Sequence, residues 1–120
     1  MAPFERLADE DFAYLTTIGR KTGKPHRIEI WFAVEGRRLF LLSGGGDTAD
    51  WVKTIRRNTR VRIQVGSRTV TARARIARAG KEDKQARELL DAKYMDWKAG
   101  RKLSSWARGA TPVAIELPAG

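Results

Sequence analysis

Two glycine-bounded segments carry the residues best suited to holding a charged small molecule. The first, Gly19-Arg20-Lys21-Thr22-Gly23, sets two cations and a hydroxyl between two flexible residues. Glycines let backbone N–H groups come close to an anion, and concave amide nests of this kind bind phosphate. Arg20 offers a planar fork and Lys21 a compact point charge, a pair suited to phosphate or carboxylate. The spacing and the Gly-Lys-Ser/Thr ending of a Walker loop are missing. An ordinary hairpin loop with solvated charges would read the same way, and spacing alone leaves both possibilities open. The second segment, Ser43-Gly44-Gly45-Gly46-Asp47, joins an apolar run to the start of a helix. Its glycines would let a ligand touch the backbone, and a helix N-terminus favours negative charge; a flexible connector would also fit.

Few other groups can carry chemistry. His26, the sole histidine, stands beside the first loop, where ligand contact and a structural role are equally open. Without a nucleophile in a recognisable context it makes no Ser-His-Asp triad. Tyr14 and Tyr94 can donate protons, although Tyr94 also fits a helix core. The chain has no cysteine, which rules out disulfides, thiolate metal sites and cysteine nucleophiles together. No carboxylate pair suits glycosidase work and no cluster has metal-ligand spacing. Trp51, Trp97 and Trp106 read as packing residues rather than stacking platforms.

The elements that must position these residues follow from periodicity. Residues 12–18 are aromatic and β-branched and end at glycine, which predicts a strand. Residues 27–34 alternate, with Ile28, Ile30, Phe32 and Val34 on one face and Arg27, Glu29, Trp31 and Ala33 on the other. Glu35-Gly36-Arg37 makes a hairpin turn, and 38–43 is apolar enough for a strand buried on both faces. Asp47 or Thr48 is expected to cap a helix running to about Arg57, with Trp51, Val52 and Ile55 along one side. Alternation returns over 60–65 and 68–77, a helix is expected over 81–97 and a helical turn within 101–108, and 111–117 reads as a last strand. Strands in hairpins dominate and no βαβ series appears. The expected fold is therefore mainly β with flanking helices, a small antiparallel barrel with helices at its rim.

At 120 residues the chain fits one domain, and its 42% hydrophobic content is that of a folded protein. A site on so small a barrel is expected in a groove or between two subunits. The net charge of +10 predicts an anionic partner: nucleic acid, anionic lipid, or a phosphorylated or polycarboxylate small molecule. The charge is concentrated. Lys53, Arg56, Arg57, Arg60, Arg62, Arg68, Arg73, Arg75 and Arg78 follow Trp51 with no acid among them, whereas 81–98 is balanced. Only Trp31 stands as an aromatic on an outward strand face in that part of the chain, and no nucleic-acid motif accompanies it, so a nucleic-acid partner is not expected. Acids near the N-terminus replace the apolar run of a signal peptide, and the longest apolar stretch, Leu39–Leu42, is too short to span a bilayer. The expectation is a cytoplasmic protein with no integral membrane segment.

The string from Leu15 to His26, Leu-Thr-Thr-Ile-Gly-Arg-Lys-Thr-Gly-Lys-Pro-His, resembles the deazaflavin-dependent nitroreductase family. So do Ser-Gly-Gly-Gly-Asp-Thr-Ala-Asp-Trp at 43–51 and the helix ending Ile-Arg-Arg-Asn at 55–58. These are split β-barrel oxidoreductases related to pyridoxamine-phosphate oxidases, and they use coenzyme F420, a deazaflavin with a phosphate and an oligoglutamate tail. The likeness covers about residues 12–66; beyond it the element order and the closing strand agree. The resemblance implies that Arg20, Lys21, Thr22 and Gly23 grip the acidic tail or phosphate of the cofactor, and His26 beside them is a further cofactor-binding candidate. It implies that the Ser43–Gly46 loop, through Ser43, Gly44 and Gly45, lies against the ring, with Lys53, Arg56 and Arg57 adding cationic contacts. It further implies hydride transfer to an electron-poor small molecule such as an activated alkene, quinone or nitro compound, with water or Tyr94 as proton source, and a homodimer. An FMN enzyme on the same barrel, and a non-enzymatic module binding the cofactor or nucleic acid, stay open on the residues alone.

Overall fold

The computed structural model describes residues 6–19, 21–77 and 80–118. Seven antiparallel strands form one sheet: β1 (Ala13–Ile18), β2 (Pro25–Ile30), β3 (Ala33–Glu35), β4 (Arg38–Ser43), β5 (Arg60–Val65), β6 (Arg68–Ile76) and β7 (Thr111–Glu116). Three α-helices accompany them: α1 (Asp50–Arg57), α2 (Lys81–Met95) and α3 (Ser105–Gly109). The strand order is β2-β1-β5-β6-β7-β4-β3. The two edges of the sheet, β2 and β3, are therefore neighbours in the chain, joined only by Trp31 and Phe32. That connection curls the sheet into a split barrel, as expected for a mainly β chain.

The alternation over 27–34 conceals this corner. The period predicts one strand, but β2 pairs with β1 and β3 pairs with β4, so the ladder must break where the chain passes from one edge to the other. Phe32 is fully buried at the break. Trp31 is not an outward aromatic: it lies flat on Tyr94, with ring centroids 4.3 Å apart, and meets Trp106 edge-on at 5.3 Å.

Two apolar clusters hold the fold. Inside the barrel, Leu15, Phe32, Leu39, Leu41, Ile63 and Ile115 pack with Ile55 of α1, which covers one end. On the other side of β4 and β7, Phe40, Leu42 and Ala114 meet Ala86 and Leu90 of α2 and Ala107 of α3. Strand β4 is thus buried on both faces, as its composition predicts. Each large side chain so buried contributes about 1.5–3 kcal/mol.

Helix ends show why local rules mislead here. Neither Asp47 nor Thr48 caps α1. A 3-10 turn over Gly46–Thr48 intervenes, and the N-cap is Ala49, which makes no side-chain cap bond. Asp47 instead accepts from Thr111 Oγ1 at 2.7 Å and pairs with Arg56 at 3.2 Å, tying the turn to β7 and to α1. Thr48 Oγ1 donates to the Gly45 carbonyl at 2.9 Å. At the other end, Asp91 is 1% exposed and accepts from Ser104 N at 2.8 Å and Ser104 Oγ at 2.7 Å. Ser104 in turn caps α3 through Ala107 N.

Candidate functional site

The loop between β1 and β2 is built by backbone bonds. Gly19 N donates to the Lys24 carbonyl at 2.8 Å and Gly23 N to the Gly19 carbonyl at 2.9 Å, closing a tight turn. Gly23 has φ +71°, the left-handed region that favours glycine. Gly19 is required for a different reason. A Cβ there would stand 3.0 Å from both His26 Nε2 and Thr22 Oγ1, so the backbone at Gly19 is a cradle that these two side chains approach.

This loop and α1 face one another across a cleft of about 460 Å³, lined by Thr17, Gly19, Lys21, Thr22, His26, Ile28, Asp50, Trp51 and Thr54. That size lies within the usual range for ligand pockets. Strand register explains the convergence: Thr17 lies directly opposite His26, and both face the barrel's interior end. On α1, Trp51 and Thr54 are three residues apart and share a face. Trp51 is half-buried and packs on the barrel core as well as lining the cleft. The N-terminal end of α1 reaches the same cleft, and its dipole favours anions.

Of the expected site residues, the structure brings together Lys21, Thr22 and His26, with Gly19 between them; Gly23 shapes the turn without lining the cleft. Arg20 lies outside the described residues. Ser43, Gly44 and Gly45 do not line the cleft. Ser43 is buried and donates to the Gly46 carbonyl at 3.0 Å, and these residues form the turn that launches α1. Lys53 and Arg57 project from α1 as exposed cations outside the lining. Arg56, paired with Asp47, borders a separate cavity of about 640 Å³ together with Thr59, Arg75 and Glu82.

The structure does not bring Tyr94 to this cleft. Its hydroxyl donates to the Asp11 carbonyl at 2.9 Å and accepts from Phe32 N at 3.1 Å, fastening the barrel's corner to the N-terminal segment. Burial, chiefly, holds this phenol above its ordinary pKa. Its neighbour Lys93 donates to the carbonyls of Glu10 at 2.7 Å and Phe32 at 3.1 Å and lies 3.7 Å over the Phe32 ring. Burial pushes the Lys93 pKa down, against the pull of Asp11, Asp9 and Glu10.

Thr17, Ile28, Asp50, Trp51 and Thr54 are the lining residues that sequence reasoning missed. The register of Thr17 with His26 and the spacing of Trp51 with Thr54 would have exposed them, had the loop and helix been known to meet. Thr17 matters most. It is 3% exposed, yet no hydrogen bond satisfies its hydroxyl among the described residues. The side chain lines the cleft, where a ligand acceptor can take its hydroxyl.

Comparisons with known proteins give the family and the fold. A family model described as F420H(2)-dependent quinone reductase matches residues 4–118. Among solved structures, an F420-H2 dependent reductase superposes with a TM-score of 0.69 at 19% identity, over 88% of this chain and 94% of its own. An F420 reductase does so with a TM-score of 0.66 at 19% identity, over 99% and 96%. An FAD-binding protein from Mesorhizobium loti reaches 0.68 at 18% identity, over 99% and 91%. At these identities the structures speak for the shared barrel; the family match, across nearly the whole chain, carries the assignment. The cationic loop, the glycine cradle and the Thr17 hydroxyl suit a large anionic ring cofactor. The chain belongs to the F420H(2)-dependent quinone reductase family and is an oxidoreductase whose cofactor is coenzyme F420.

Proposed function

We propose that this protein reduces electron-poor small molecules of the quinone class at the cleft between the β1–β2 loop and α1. The observation that carries the reading is the meeting, in one cleft, of Lys21, Thr22 and His26 with Trp51 and Thr17. Reduced coenzyme F420, when bound, supplies the hydride for such a reaction.

The chain's own part is to bind, orient and exclude water. Lys21 and Thr22, with Arg20 and the turn set by Gly23, hold the acidic portion through charge-assisted hydrogen bonds. His26 stands over the space that a Gly19 side chain would fill and adds a ring N–H at the same end. Thr17 donates its hydroxyl to a ligand acceptor at the cleft floor, and Trp51 with Ile28 supplies apolar wall. Lys53 and Arg57 stand outside the lining as exposed cations of α1 and raise the local anion concentration. Ser43, Gly44 and Gly45 act indirectly, by fixing where α1 begins. The protein works as a single cofactor-binding domain and pairs with a second copy.

Fluorescence titration with F420 and with FMN, followed by turnover of a water-soluble quinone, tests the assignment. The expected result is micromolar F420 binding, little FMN binding and F420H2-dependent quinone loss. Tighter binding of FMN than of F420, or F420H2 oxidation only with nitro compounds or alkenes, would replace it.

A further inference from the structure

The outward face of β2, β1, β5 and β6 carries Arg27, Arg60, Arg62 and Arg73, more cations than the carboxylates beside them balance. Arg27, Thr16, Arg62 and Thr71 stand in one cross-strand row. In the next row on that face Arg60 and Arg73 lie directly opposite each other. Like charges in such a pair cost stability. Among the described residues no carboxylate pairs with Arg60, Arg62 or Arg73; Arg73 donates to Thr59 Oγ1 at 3.1 Å. This differs from Arg38 and Arg75, which share Glu82 and Glu116. The carboxylates beside these arginines are engaged elsewhere: Glu29 accepts from Tyr14 Oη at 3.1 Å, and Glu116 of β7, which lies opposite Arg73 in register, pairs with Arg38 and Arg75.

We propose that this sheet face docks the protein on an anionic lipid bilayer. Charge complementarity supplies the attraction, and an external layer of phosphates would relieve the Arg60–Arg73 repulsion. A bilayer fits better than nucleic acid on two counts. Tyr14, the aromatic on the face, is covered by Arg27 at 4.2 Å and tied to Glu29, so it offers no ring for base stacking. Ile18, at the end of β1 beside the cleft loop, is 40% exposed, an apolar group suited to the interfacial region. The proposal rests on the quinone reading only for its purpose, bringing the cleft to substrates dissolved in lipid; the charge argument stands without it.

Vesicle co-sedimentation of the whole chain tests this with no quinone or cofactor present. Vesicles of phosphatidylcholine with about 30% phosphatidylglycerol are expected to bind the protein, and pure phosphatidylcholine vesicles are not. Raising salt from ~0.1 M to ~0.5 M should release it. Each basic residue near such a surface strengthens binding about fivefold, so R60Q/R62Q should weaken it about 25-fold. The control K81Q/K84Q, with the same charge loss on α2, should bind within about twofold of wild type. Circular dichroism checks that both variants fold, and turnover of a water-soluble quinone should be unchanged in both. No binding to anionic vesicles, equal loss in the two variants, or tighter binding to single-stranded DNA through the same arginines would overturn the proposal. Failure of quinone turnover with vesicle binding intact would overturn the quinone reading instead.

Discussion

Replacing Gly19 by alanine separates the ligand role of the β1–β2 loop from its structural role. The new Cβ would meet His26 Nε2 and Thr22 Oγ1 at 3.0 Å and His26 Cδ2 at 3.1 Å. Ordinary contact is about 3.5 Å or more, so each neighbour must retreat by about 0.5 Å. Both are ends of side chains with solvent nearby, which makes the retreat cheap for the fold: about 1 kcal/mol, the low end of overpacking costs. The turn bonds between Gly19, Gly23 and Lys24 need not break. For the ligand the shift is expensive, because two groups facing the same cleft are displaced together. Losing one charge-assisted contact, worth about 1.5–3 kcal/mol, weakens affinity about tenfold or more. Gly23→Ala is the contrast. No atom lies within 4 Å of a Cβ there, but φ is +71°, so the cost is backbone strain of about 1–2 kcal/mol and the lining is untouched. Urea unfolding and F420 fluorescence titration on both variants check this. If G19A binds F420 within twofold of wild type, the cradle is not part of the binding site and the placement of the cofactor's acidic end is wrong.

Lys21→Ala is expected to lower F420 affinity about tenfold and to flatten its salt dependence, with the urea midpoint unchanged; titration at two ionic strengths decides. Tyr94→Phe should cost about 1–2 kcal/mol, for the bonds to Asp11 and Phe32, while turnover with F420H2 stays within about twofold. A large loss of kcat in a folded Y94F variant would restore Tyr94 as the proton source. The same variant carries a pH signature. Because burial raises the folded phenol above 10.0, its contribution is complete below that pH and is lost as pH rises through the folded value. The stability gap between wild type and Y94F should therefore narrow above pH ~10 in urea melts. Asp91→Ala removes two bonds at Ser104 from a buried carboxylate and should cost about 3 kcal/mol, with F420 affinity unchanged under native conditions.

Much of the barrel was readable because period-two alternation is a local signal. The strands from Arg38 to Ser43 and from Arg60 to Val65 fall where the pattern puts them. The corner at Trp31–Phe32 was not readable, since alternation continues through it unchanged and only strand pairing breaks it. The cap of α1 was misread because Asp47 found a stronger tertiary use with Thr111 and Arg56. In the cleft, Lys21, Thr22 and His26 were visible as charge and glycine chemistry in one short segment. Thr17 and Trp51 were not, because a buried threonine in a strand and a tryptophan on an amphipathic helix look like core. Tyr94 has a titratable type in a plausible place; only the contacts of its hydroxyl reveal that it fastens the corner.

That fastening has a consequence for how the protein is made. The bonds of Tyr94 to Phe32 and of Lys93 to Glu10 span 62 and 83 residues of sequence. Contacts this distant form late, after the chain entropy of a long loop has been overcome. On the ribosome, Trp31 and the two border strands must wait, unfastened, until α2 has left the exit tunnel. Weakening Trp31 or Tyr94 should thus speed unfolding more than it slows refolding, since a contact that forms late is absent from the transition state.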